Sequence, residues 1–142
     1  MLLAACGNPA KSDLQAIAKV ISDTGFTPAK TQEYQQRLQQ AKSEAEVKAT
    51  LGEMTQYFEK VPASLNALSL KTDEGRSIRD DFSQGIDKLV RGAKQAIAAS
   101  AKDSQAQEAA SRLALEGQQQ FLQGQNKFIA AAGREGIKLN NK

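Results

Sequence analysis

The residues able to do chemistry are few and scattered. Asp80, Asp81 and Asp87 place three carboxylates close together in the chain, a spacing that could gather a cation. Neighbouring helical residues point about 100° apart, however, and no glycine-ringed oxygen loop of the calcium type follows, so a solvated helix face is the better account. Lys and Glu side chains can act as acids and bases, but the chain has no His and a single Cys. Those counts remove the commonest general base, the usual nitrogen metal ligand, any internal disulfide and any multi-cysteine metal site. Neither a Ser-x-x-Lys nor a Gly-x-Ser-x-Gly nor a phosphate-binding loop occurs. No catalytic residue, no metal site and no cofactor is expected, and the chain is read as acting by binding or scaffolding rather than as an enzyme.

The single cysteine carries the one specific signal. The N-terminus reads Met1-Leu2-Leu3-Ala4-Ala5-Cys6-Gly7-Asn8-Pro9. Leu3-Ala4-Ala5-Cys6 resembles the lipobox of bacterial lipoproteins: an aliphatic residue, two small ones, then the cysteine. The resemblance implies that Leu3, Ala4 and Ala5 are read by the processing machinery and that Cys6 is lipidated. It also implies a diacylglyceryl thioether, often with an N-acyl chain of the palmitate kind, on a mature protein beginning at Cys6. Residues 1–5 are then the remnant of an export signal, which in full would carry a basic stretch and about 7–15 apolar residues. The start is accordingly expected to be truncated or mis-assigned, or to retain the tail of a longer leader.

Each buried acyl CH₂ contributes ~0.8 kcal/mol, and two chains anchor stably where one does not. A lipidated Cys6 thus needs no transmembrane helix, and no run of about 18 apolar residues follows it. Gly7, rather than Asp, after the cysteine implies by the family's sorting habit the outer membrane, with the domain facing the periplasm. The inner membrane and the cell surface stay open as alternatives.

Composition sets the rest. At 142 residues and 15.3 kDa the chain is one domain's worth, with 40% hydrophobic and 25% charged residues. Net charge is +3, and the charges are evenly spread: residues 1–72 carry 8 basic and 7 acidic groups, residues 73–142 carry 11 and 9. No basic stripe exists, so nucleic acid is not an expected partner despite a pI near 9.0. The expected partners are the membrane, through the covalent lipid, and an envelope protein.

With 23 Ala, 16 Gln and only three Pro, helix formers dominate and strand-like alternation is missing. The expected fold is all-α: a small antiparallel helical bundle of the four-helix type, with a short first helix and a kinked second one. Residues 6–11 are read as the lipidated cysteine and its tether, residues 12–136 as the bundle, residues 137–142 as a loose tail. Ser12 can cap a helix to Asp23 with Leu14, Ile17, Ala18 and Ile21 on one face. Pro28 opens the second, which is expected to run to about Leu70 with a kink near Lys42 and a bend at Pro62. Its buried phase is Val47, Leu51, Met54, Phe58, Val61, Leu65 and Leu68. Thr72-Asp73-Glu74 opens the third, striped by Ile78, Phe82, Ile86, Leu89, Ala93 and Ile97. Ser104-x-x-Gln107 reads as a capping box for the fourth, ended by Gly133 and Gly136.

An antiparallel pair keeps the sum of facing indices constant. With a turn at Asp103 that sum is 206, and large residues then meet small ones: Phe82 opposes Gly124, Gly85 opposes Phe121, Leu89 opposes Gly117 and Gly92 opposes Ala114. Glycine inside a helix costs ~1 kcal/mol relative to Ala, and close approach of the two helices would explain four of them. The rival is one unbroken helix from Asp73 to Ala132, against which Ile97 and Ala106 fall on opposite faces.

Phe26, Tyr34, Tyr57, Phe58, Phe121 and Phe128 read as core, and the runs Gln35-Gln36 and Gln118-Gln119-Gln120 as neutral helix surface or an amide-lined partner face. The leading functional reading is an envelope scaffold or binding protein. An alternative is a carrier of a small apolar ligand held between helices. A terminal Lys142 invites comparison with wall-linked lipoproteins, but those are narrow coiled coils without the Pro62 and glycine breaks seen here.

Overall fold

Helix starts in this chain are set by short polar side chains. The computed structural model describes residues 7–139, in which α1 spans Pro9–Asp23, α2 Pro28–Gln40, α3 Glu44–Phe58, α4 Lys60–Asn66, α5 Asp73–Ala98 and α6 Ser104–Arg134. Asn8 accepts from the Ala10 amide at 3.1 Å, Thr27 from Lys30 at 3.3 Å, Ser43 from Glu46 at 3.2 Å, Thr72 from Gly75 at 2.9 Å and Asp103 from Ala106 at 3.0 Å. Each such cap satisfies an otherwise orphaned amide and is worth ~1 kcal/mol.

Two helices end on a left-handed glycine that turns the next apolar residue inward. After α1, Gly25 (φ 74°) lets the Phe26 amide reach the Ile21 carbonyl at 3.2 Å, and Phe26 is buried. After α6, Gly136 (φ 67°) does the same for Ile137, whose amide reaches Ala132 at 2.9 Å. Both carry the paired hydrogen bonds of a Schellman ending.

Among the described residues the fold is all-helical, as expected, but it is not a simple four-helix bundle. The expected kinked second helix is three elements. Ala41 leaves the helical region, Ser43 restarts it, and the Lys42 amide donates to Glu46 at 2.8 Å, so the capping box makes a true break where a kink was expected. A second interruption falls at Glu59, at once the last cap of α3 and the first of α4, so those two form one interrupted run and the described residues form five helical runs. Pro62 lies three residues on and cannot donate to Phe58, which accounts for the break's position. Val61 and Leu65 nevertheless stay buried.

Four smaller expectations change. The first helix begins at Pro9, not Ser12, because Asn8 caps it and Pro suits the first position; residues 9–11 are therefore helix rather than tether. Ala18 is exposed. The cap of α6 is Asp103 rather than Ser104, and Gly133 lies inside that helix, leaving Gly136 as the terminator. Ile137 packs on the core, so the tail is not loose from its first residue. The Asn140-Asn141-Lys142 end lies outside the described residues.

The α5–α6 hairpin is the spine. α1 packs on α4, α5 and α6, α3 and α4 pack on α5, and the backbone of α2 approaches α3 alone. Leu14, Ile17, Val61, Leu65, Ile78 and Ile86 are the largest fully buried side chains. One carboxylate is buried with them. Asp13 accepts from the Lys71 amide at 2.9 Å and from the Thr72 amide and hydroxyl at 2.8 and 2.6 Å, tying α1 to the start of α5. Burial pushes its pKa up, but the Thr72 hydroxyl, the two amides and the Arg76 charge outweigh that and hold it below the usual value.

Candidate functional site

The residues read as helix-packing positions meet along the α5–α6 seam. A Cβ built on Gly85 would stand 2.7 Å from the Phe121 amide nitrogen, and one on Gly117 would stand 2.8 Å from that of Leu89. One on Gly92 would lie 3.0 Å from Ala114 N, and one on Gly124 would lie 3.2 Å from Phe82 N. Gly85, Gly92, Gly117 and Gly124 are all buried. Along the edges of the seam, Gln120 donates to Gln84 at 2.7 Å, Lys127 reaches Asp81 at 2.7 Å and Ser77 at 3.1 Å, and Arg134 pairs with Glu74. Leu89 and Phe121 are only half-buried, for a reason that lies on the other side of the seam.

There the helices fail to close. Between the end of α1, the inner face of α2 and the outer face of α6 runs a groove of about 720 Å³. Its floor is core: Phe26, Phe58, Phe82, Ile86 and Phe121. Phe26 stands edge-on to Phe58 and Phe121 with centroids 4.6 and 5.1 Å away, and Phe82 lies 5.0 Å from Phe121. One wall is Thr31, Tyr34, Gln35 and Leu38 of α2; the other is Gln118, Leu122, Gln125 and Ile129 of α6, with Leu139 beyond. Leu122, Ile129 and Leu139 are 46%, 49% and 42% exposed, large apolar side chains left facing open space.

The groove exists because α2 rests on α3 and not on α6. Arg37 bonds Glu53 at 2.7 Å, Tyr34 packs against Phe58 with centroids 5.7 Å apart, and Lys30 lies over the Tyr34 and Tyr57 rings. These contacts hold α2 upright beside α3 and away from α6. The volume falls within the roughly 300–1,000 Å³ of small-molecule sites, and the lining has their character, apolar with a few polar groups. Phe26, Tyr34, Phe58, Phe121 and Phe128, read as core from the sequence, thus also line the groove. Tyr57 is not core: it is 41% exposed, its ring lying under Lys30. Leu115, Leu122 and Ile129 belonged to none of the expected stripes; their spacing of seven is the signal that marks this face of α6.

Groups with chemical potential are paired elsewhere. Asp80 bonds Arg79 at 2.6 Å and Asp87 bonds Arg91 at 2.9 Å, while Asp81, largely covered, is held by Lys127. A shallower hollow around Pro62 is charged, but its Glu59 and Lys94 bond each other at 3.2 Å. Among the described residues no three acidic or sulfur side chains gather as a metal cluster would. Cys6, Leu3, Ala4 and Ala5 lie outside the described residues.

An all-helical domain with an apolar groove and no helix long and apolar enough to cross a membrane, among the described residues, is the class that fold and site define. The sequence profile of the family described as Uncharacterised lipoprotein PM1805 matches residues 11–133, and the chain belongs to that family. It is therefore a bacterial lipoprotein, associated with the envelope through lipid, in agreement with the motif at Leu3–Cys6. No curated protein and no solved structure matches the chain.

Proposed function

We propose that the protein is anchored through lipid on Cys6 to the outer membrane, faces the periplasm, and binds an apolar ligand in the α2–α6 groove without catalysing a reaction. The groove carries the proposal: about 720 Å³ of largely apolar space over a floor of four buried or half-buried phenylalanines. Apolar surface left open in this way has a standing free-energy cost of ~25 cal/mol per Å², which a ligand that covers it recovers. Membership of a lipoprotein family supports the anchor, and the Gly7 position supports the outer membrane.

The test is titration of the full chain carrying Cys6→Ser with the uncharged dye N-phenyl-1-naphthylamine. Saturable binding at one site is expected, weakened about tenfold by Leu122→Glu with the unfolding midpoint kept, since Leu122 is exposed. A dye that does not saturate, or binds Leu122→Glu equally well, overturns the proposal.

A second reading, an envelope scaffold, is favoured by Leu115, which is 58% exposed and continues the Leu122–Ile129 stripe beyond the groove. Crosslinking from position 115 in the anchored protein to a defined envelope protein would support it.

A further inference from the structure

Resting on the groove as the binding site, we infer that its ligand is an uncharged amphiphile: an acyl-type chain carrying a neutral hydrogen-bonding head such as an ester or hydroxyl. All the side chains that line the groove are uncharged, and the polar ones on its walls are amides and hydroxyls, chiefly Gln35, Gln118 and Gln125. An amide donates and accepts, so it matches an ester or alcohol but gives an ion no counter-charge.

The cations of α2 and α6 nearest in sequence to the walls are drawn off. On α2, Lys30 bonds Glu33 at 3.0 Å over the two tyrosine rings, and Arg37 bonds Glu53 at 2.7 Å, both toward α3. On α6, Lys127 bonds Asp81 at 2.7 Å across the seam. Lys19 of α1 bonds Asp23 at 2.8 Å. Between the α2 and α6 walls a carboxylate or ammonium would lose water without gaining a partner, and an unpaired ion is the costlier group to desolvate. The shape supports a chain: the α6 wall from Gln118 to Ile129 is ~16 Å long at 1.5 Å per residue.

The experiment displaces bound N-phenyl-1-naphthylamine from the full Cys6→Ser chain with three ligands of equal chain length at pH 8. These are dodecanoylglycerol, dodecanoate and dodecyltrimethylammonium, each below its micelle concentration. Dodecanoylglycerol is expected to compete at a concentration at least about tenfold lower than either ion. Gln118→Lys, which puts a cation on an exposed part of the α6 wall, should then strengthen dodecanoate relative to dodecanoylglycerol about fivefold. Parity among the three ligands, preference for an ion, or no gain by dodecanoate in Gln118→Lys overturns this inference while leaving apolar binding intact. Failure of the dye itself to bind removes the groove reading and this inference together.

Discussion

Gly85 and Gly117 approach so closely that a Cβ on Gly117 would stand 2.6 Å from the Gly85 carbonyl oxygen. Backbone cannot yield as a flexible side chain can, so Gly117→Ala and Gly85→Ala should each lower stability by ~1–3 kcal/mol, measured as the urea midpoint. Gly52, inside α3 with open space around it, is the internal control. Gly52→Ala should raise stability by ~0.5–1 kcal/mol. Equal effects at all three positions would mean the seam is not what requires the glycines.

Asp13 predicts an acid dependence with a definite sign. Its pKa is lower in the folded state than in the unfolded chain, so its contribution is present above the ordinary carboxylate value and is lost as pH falls through the folded value. Between about pH 6 and pH 2 the wild type should lose more stability than Asp13→Asn, with the two curves converging at the acid end. At neutral pH the Asn variant should be less stable by ~1–3 kcal/mol, because one of its amide hydrogens meets the Lys71 and Thr72 donors.

Because the backbone of α2 approaches α3 alone among the described helices, its amides should be the first of the long helices to exchange with deuterium. Dodecanoylglycerol should slow that exchange, since a filled groove gives α2 a second surface to rest on. A ligand at 100 times its Kd stabilises the folded state by ~2.7 kcal/mol, which a thermal melt would also register. Equal protection of α2 and α5 without ligand would contradict the structural basis of this prediction.

Cys6→Ser should release the protein from membranes and abolish labelling by a fatty-acid probe, because the polypeptide then lacks the acyl chains that hold it there. The helical content, measured by circular dichroism, should be unchanged. Retention and labelling in the variant would place the anchor elsewhere.

Local signals carried much of the fold. Thr72, Ser43 and Pro28 announce helix starts in the sequence because caps act within three residues, and the structure uses all three. The index sum of 206 describes the seam contacts because two regular helices joined by a short turn leave no freedom of register. What was illegible depends on distant partners. Asp13 looks like any surface residue of α1 until the Lys71 and Thr72 amides, 58 and 59 positions away, arrive beside it. The groove is harder still: it is a gap that neither α2 nor α6 encodes alone, created when Arg37, Lys30 and Tyr34 commit α2 to α3.

The hydrogen bond from Asn8 to Glu135 sets how far the domain can extend. It brings the first turn of α1 beside the last turn of α6, so the start of the described chain lies at that pole and the Ser100–Asp103 turn occupies the opposite one. With α6 31 residues long, the two poles are ~46 Å apart at 1.5 Å per residue. The groove's α6 wall, Gln118 to Ile129, therefore lies nearer the pole at which the chain enters than the hairpin's tip does.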